Sequence, residues 1–251
     1  MANYLLAGPP RYETQSAWPP LVALVAAIIV QAGLQLLGGL LGALVGGGEA
    51  RLMSGVPEDK RLLLAIIVFL ALSQIGVMAF AWWAAGRFGG DRQAVLQLHR
   101  GLPSIGDVAI ALAGLALVLG TYNLLVYVLR PDLFMADVAP FLPMLQAPIW
   151  PVTALAVGIG APLSEELLFR GFLLSALASW RWGFWPAALA ANMAWTSFHL
   201  GYSIAGLLEV FIGGLYISWL LWRTGSLWLP IIAHGATNIF FLAIIAIYPF
   251  P

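Results

Sequence analysis

The chain contains no cysteine, which excludes disulfides, a thiolate nucleophile, thioether-linked haem and cysteine-ligated zinc. Charge is nearly as scarce. Asp, Glu, Lys and Arg make up 9% of 251 residues, where a soluble domain carries about 25%. The two signs balance to a net charge of +0, so no basic surface for nucleic acid is expected. There is no internal repeat, and no polar stretch is long enough to bury a core of its own. The polar, proline-bearing opening lacks a basic segment ahead of a short apolar core, and so does not read as a cleavable signal peptide.

What is there is apolar: 62% hydrophobic residues and a mean hydropathy of +0.94. A membrane span needs roughly 20 apolar residues. On that rule the spans are Pro20–Gly46, Leu62–Gly86, Gly106–Leu129, Pro148–Ala178, Phe184–Leu200, Ser203–Trp222 and Leu227–Tyr248. The fourth is long and contains Pro151 and Pro162, and proline kinks or breaks a helix. The expectation is an all-α, polytopic transmembrane bundle of about seven spans, or eight if that segment divides. A polar tail, residues 1–19, precedes a single membrane domain, residues 20–251.

Smaller features have structural readings. Gly38, Gly42 and Gly46 recur at every fourth position, which lets helix backbones approach closely. Packing within the bundle is the plainer use of that face, and a homodimer or membrane-complex seam is the other. Asp91–Leu102, with Arg92, His99 and Arg100 among leucines, reads as a short helix in the headgroup plane. Pro57, Glu58 and Asp59 before an apolar run read as a helix N-terminus. With seven spans, Arg11, Arg87, Arg92, Arg100, Arg181 and Arg223 fall on one side, and Arg51, Lys60, Arg61 and Arg130 on the other. That bias places the N-terminus in the cytoplasm; the expected location is the cytoplasmic membrane of a prokaryote.

Against this background a few polar residues stand out. Each ionisable group inside a bilayer costs about 2.5–3.5 kcal/mol on the lenient insertion scale, and survives mainly by facing a partner or a wet cavity. Glu165, Glu166 and Arg170 lie in the fourth segment, His199 in the fifth, and His234 with Asn238 in the last. A helix turns about 100° per residue, so Glu166 lies roughly 40° from Arg170 and Glu165 about 140° from it. Glu166 is thus the ion-pair partner, and Glu165 points elsewhere, free to act as a general base. His234 and Asn238 share a helix face and can supply N–H donors to an oxyanion. At about 1.5 Å per residue, Glu165 and His199 lie some 20 Å from their helix ends and His234 about 10 Å, all near the midplane.

These residues form three motifs: Glu165-Glu166-Leu-Leu-Phe-Arg170, Trp195-Thr-Ser-Phe-His199 and His234-Gly-Ala-Thr-Asn238. Ala161-Pro162, Gly171, Arg223-Thr-Gly-Ser226 and Pro230 flank them. The pattern resembles the CPBP family, the CAAX prenyl proteases and bacteriocin-processing enzymes also called Abi proteins, over about residues 148–241. Trp195 stands where phenylalanine is common. The resemblance implies a metal-free glutamic intramembrane endopeptidase whose site opens to the cytoplasm. Glu165 would activate water with His199, His234 and Asn238 would stabilise the oxyanion, and Glu166 with Arg170 would brace the site. The implied partners are the bilayer and a membrane-associated peptide or protein substrate.

Three other readings remain. Glu165, His199 and His234 would also make a two-histidine, one-carboxylate zinc site. Buried Glu and His can form the relay of a proton-coupled transporter, although such proteins often show the repeats absent here. A non-catalytic scaffold or accessory subunit would keep the same residues for stability or binding.

Overall fold

The computed structural model describes residues 5–6, 8–46, 58–146 and 150–247, all of it helix and connecting turn. Helix α1 is Pro20–Gly46. Helix α2 runs over 58–85, with a π-helical stretch at Ala71–Gly76. After a short α3, Arg92–Val95, come α4 (Ile105–Leu129), α5 (Pro131–Val138) and α6 (Leu142–Gln146). Helix α7 spans Trp150–Ala178, α8 Phe184–Ser197, α9 Ile204–Thr224 and α10 Trp228–Ile247.

Six of these helices are long and apolar enough to cross a membrane: α1, the Leu63–Ala85 part of α2, α4, α7, α9 and α10. Leucine, isoleucine and valine side chains line their exposed faces, notably on α1 and α4, as lipid contact requires. The fifth expected span, Phe184–Leu200, is shorter than expected. Helix α8 has 14 residues, about 21 Å at 1.5 Å each, and gives way to a turn at Phe198 that carries His199.

The fourth segment does not divide, so eight spans are not formed. Pro151 does not interrupt α7, which is helical onward from Trp150, its first described residue. Pro162 follows a π-helical stretch, Ala156–Gly160, which absorbs the lost i→i−4 bond without ending the helix. Side chains of neighbouring helices take up carbonyls of that stretch. Gln74 Nε2 donates to Ala156 O at 3.0 Å, and Asn238 Nδ2 donates to Val157 O at 2.8 Å. A second π stretch, Glu166–Leu173, follows directly after Glu165.

The glycine face of α1 is used within the chain. A Cβ at Gly38 would lie 3.1 Å from Phe69 O, and one at Gly42 3.0 Å from Ala65 O, so α1 and α2 meet backbone to backbone. The residues preceding α2, Pro57 among them, and Gly47 lie outside the described residues.

One end of the bundle is strapped by the N-terminal tail. Arg11 and Tyr12 N–H groups bond Trp222 O, Thr14 Oγ1 bonds Ser175 O, and Trp18 Nε1 bonds Ala84 O. Arg223 reaches back to Leu5 O and Gly8 O. The short α3 lies at this end, where Gln97 O accepts from Leu227 N–H. At the other end, α5 packs over the start of α9. Asp137 accepts from both the N–H and the Oγ of Ser203, each at 2.6 Å, and Ser203 caps α9.

Candidate active site

The expected residues come together in two layers. The inner one is built around Arg170, whose side chain has no solvent exposure. Its Nη1 lies 3.3 Å from Glu166 Oε1, and its Nη2 donates to Asn192 Oδ1 at 3.0 Å. The guanidinium carbon sits 4.1 Å from the centre of the Trp195 ring, a cation–π contact strengthened by desolvation. Asn192 is itself fixed by donating Nδ2 to Phe211 O at 2.9 Å. Gly214 of α9 makes room for the group, since a Cβ there would lie 2.6 Å from Arg170 Nη2 and 2.7 Å from the Trp195 ring. Breaking one partner of such a buried pair costs about 3–5 kcal/mol.

Glu166 also holds His234, whose Nδ1 lies 2.9 Å from Glu166 Oε1. A carboxylate only accepts, so Nδ1 carries a hydrogen, and the ring when neutral keeps a lone pair on Nε2. His199 is set the same way, because its Nδ1 lies 3.1 Å from the Trp195 carbonyl oxygen. Both imidazoles therefore offer an acceptor at Nε2. With Nδ1 on Glu166, His234 donates to an oxyanion from Nε2 only when that nitrogen also carries a hydrogen.

The outer layer faces a cavity of about 280 Å³, whose wall includes Glu165, Trp195, His199, His234 and Asn238. Glu165 is half-buried. Its Oε2 accepts the Trp195 indole N–H at 2.6 Å. Phenylalanine at 195 would lack that donor. Asn238 spends one amide hydrogen on Val157 O and has a second to offer. Tyr202, in the turn after α8, also lines the cavity. Burial first, and then the charges of Glu165, Glu209 and Asp137, push its phenol up to about 12.

Four contributors escaped the sequence reading. Asn192 lies three residues before Trp195 on α8, and its amide in an apolar run was the available signal. Gly214 gave no such sign. Glu209 with Asn123 lies on the same cavity and is taken up below. Among the described residues, no three of His, Asp and Glu group closely enough to hold a metal ion.

Fold and site together define a class: a polytopic membrane protein that gathers glutamate, histidine and asparagine around one internal cavity. Residues 147–240 match the family model for Type II CAAX prenyl endopeptidase Rce1-like proteins. The resemblance read from the three motifs therefore holds for that segment. An Escherichia coli protein described as "Uncharacterized 24.3 kDa protein" is 38% identical over 85 residues, covering 33% of this chain and 39% of that one. The chain thus matches about two fifths of that relative's length. No solved structure matches the chain.

Proposed function

We propose that the protein is an intramembrane endopeptidase that hydrolyses a peptide bond of a membrane-associated substrate with a water activated by Glu165. The observation that carries this reading is the division of the two glutamates. Glu166 is locked between Arg170 and His234, while Glu165 faces the cavity on the Trp195 N–H.

A water has two hydrogens, and the cavity offers two acceptors for them, a Glu165 carboxylate oxygen and His199 Nε2. Held that way, its lone pair is free to meet a carbonyl carbon. As the C–O bond forms, Glu165 takes the water's proton. The carbonyl oxygen becomes an oxyanion, stabilised by the remaining Asn238 amide hydrogen and by His234 as imidazolium. The C–N bond then breaks and the proton passes from Glu165 to the leaving amine.

The zinc reading draws support from one observation. Metal-binding histidines commonly donate their second ring nitrogen to a carboxylate or a carbonyl, as His234 and His199 do here. Purified protein in detergent, offered a membrane-anchored peptide library with and without a strong chelator, separates the two. The glutamate mechanism predicts cleavage indifferent to chelation. Loss on chelation with rescue by zinc would make the histidines ligands.

Two expectations about orientation conflict in this fold. The cavity is walled by the later parts of α4 and α10, by α5 and by the start of α9, all at the end away from the N-terminal strap. A cytoplasmic N-terminus therefore places the cavity towards the outer leaflet, not the cytoplasm. The strap end carries Arg11, Arg87, Arg92, Arg100, Arg181 and Arg223, and on the Lys/Arg bias we assign that end to the cytoplasm.

A further inference from the structure

The reaction above leaves one carboxylate of the cavity wall without a task. Glu209 sits on α9, five residues from its first residue Ile204 and so roughly 8 Å along the helix from that end. It lines the 280 Å³ cavity with Glu165. It also lines an adjoining, mostly apolar cavity of about 600 Å³ between α4 and α10. A carboxylate in a membrane helix is costly, and a role in packing would explain it only if both its oxygens were engaged.

They are not. Asn123 of α4 donates Nδ2 to Glu209 Oε1 at 2.5 Å and to Leu119 O at 3.1 Å, which pins both the amide and that one oxygen. Among the described residues, Glu209 Oε2 has no hydrogen-bond partner, and it is not sealed from the cavity. The other carboxylates of the wall are committed. Both oxygens of Asp137 hold Ser203, and Glu165 belongs to the reaction. No lysine or arginine lines either cavity among the described residues. A carboxyl group is thus held by a neutral amide, with its second oxygen open to the cavity and no lysine or arginine on either cavity wall among the described residues.

We propose that Glu209, positioned by Asn123, is a specificity residue that binds a lysine or arginine side chain of the peptide substrate. Because Glu209 and Glu165 line one cavity, that basic residue lies close in the peptide to the bond cleaved. The long apolar stem of lysine or arginine suits the walls of the adjoining cavity, and its charged tip finds Oε2. A metal ion fits less well, because no group of three ligating side chains converges there among the described residues.

This inference rests on the peptidase reading for its substrate, but its test does not depend on turnover. Full-length protein carrying Glu165→Ala is titrated in detergent with fluorescent, N-acetylated peptides in which lysine or norleucine is placed in turn at each position. At one position lysine is expected to bind at least tenfold more tightly than norleucine. Adding Glu209→Gln, which keeps an acceptor for Asn123, removes that preference and leaves the norleucine peptide's affinity unchanged. Glu209→Lys shifts the preference to glutamate at the same position. Should Glu209→Gln fail to fold, Glu209→Asp keeps the charge but draws it back by one methylene, and is expected to weaken the preference. Absence of any lysine preference, or its persistence in Glu209→Gln, would overturn the proposal. If wild-type protein cleaves nothing while the preference is present, the peptidase reading fails and the cationic subsite stands.

Discussion

His234 Nδ1 lies 2.9 Å from Glu166 Oε1, so the buried glutamate decides which edge of the imidazole meets the cavity. The same Glu166 oxygen holds Arg170. One carboxylate therefore organises a guanidinium and an imidazole on different helices, and its loss affects both. Glu166→Ala strands an arginine with no solvent exposure. We expect a loss of about 3–5 kcal/mol in stability together with loss of activity. Thermal unfolding in detergent should show a much smaller loss for Glu166→Gln, which keeps an acceptor for both.

Trp195→Phe separates two roles of one ring. Phenylalanine retains an aromatic face for Arg170, now 4.1 Å from the indole, and removes the 2.6 Å donor to Glu165. A hydrogen bond to a charged group contributes about 1.5–3 kcal/mol. We expect kcat to fall roughly tenfold or more, with KM and the unfolding temperature nearly unchanged. An unchanged kcat would show that the indole N–H does not position Glu165.

Gly214→Ala tests the inner packing from α9. Its Cβ would press on Arg170 Nη2 at 2.6 Å and on the Trp195 ring at 2.7 Å. Neither group can withdraw, since Asn192 and Glu166 hold Arg170 in place. Overpacking of this kind costs about 1–3 kcal/mol. Gly213→Ala, whose Cβ would meet only the Leu119 side chain at 3.5 Å, is the control and should unfold as wild type does.

Orientation is open to a direct test because the chain has no cysteine, so any single cysteine introduced is the sole thiol. Trp182→Cys lies at the strap end and Asp132→Cys at the cavity end, and both sites are exposed. With a membrane-impermeant maleimide added outside intact cells, labelling at 132 and protection at 182 is the expected result. The reverse would put the N-terminus outside and the cavity towards the cytoplasm.

Much of the helical architecture was legible in the sequence, because apolar runs near 20 residues admit little else. The Glu166–Arg170 pairing was legible from their spacing of four residues, which brings two side chains to neighbouring positions on one helix face. What was hidden depends on partners remote in sequence. Pro162 reads as a possible break, and only Gln74 and Asn238, satisfying Ala156 O and Val157 O, show how α7 stays continuous. The turn that sets His199 beyond α8 has no proline to announce it. The imidazole tautomers follow from Trp195 O and Glu166, which no local pattern reveals. Glu209 was overlooked because its partner Asn123 lies on another helix, and neither forms part of a motif.

The most direct test of the account replaces Glu165 by glutamine, which keeps size and an acceptor for Trp195 but cannot take a proton from water. Cleavage of a membrane-anchored peptide library by purified wild-type and Glu165→Gln protein, each shown to be folded by its unfolding temperature, is the measurement. Products are expected from wild type and none above background from the variant. Equal cleavage by both would contradict it, and would remove Glu165 from the reaction.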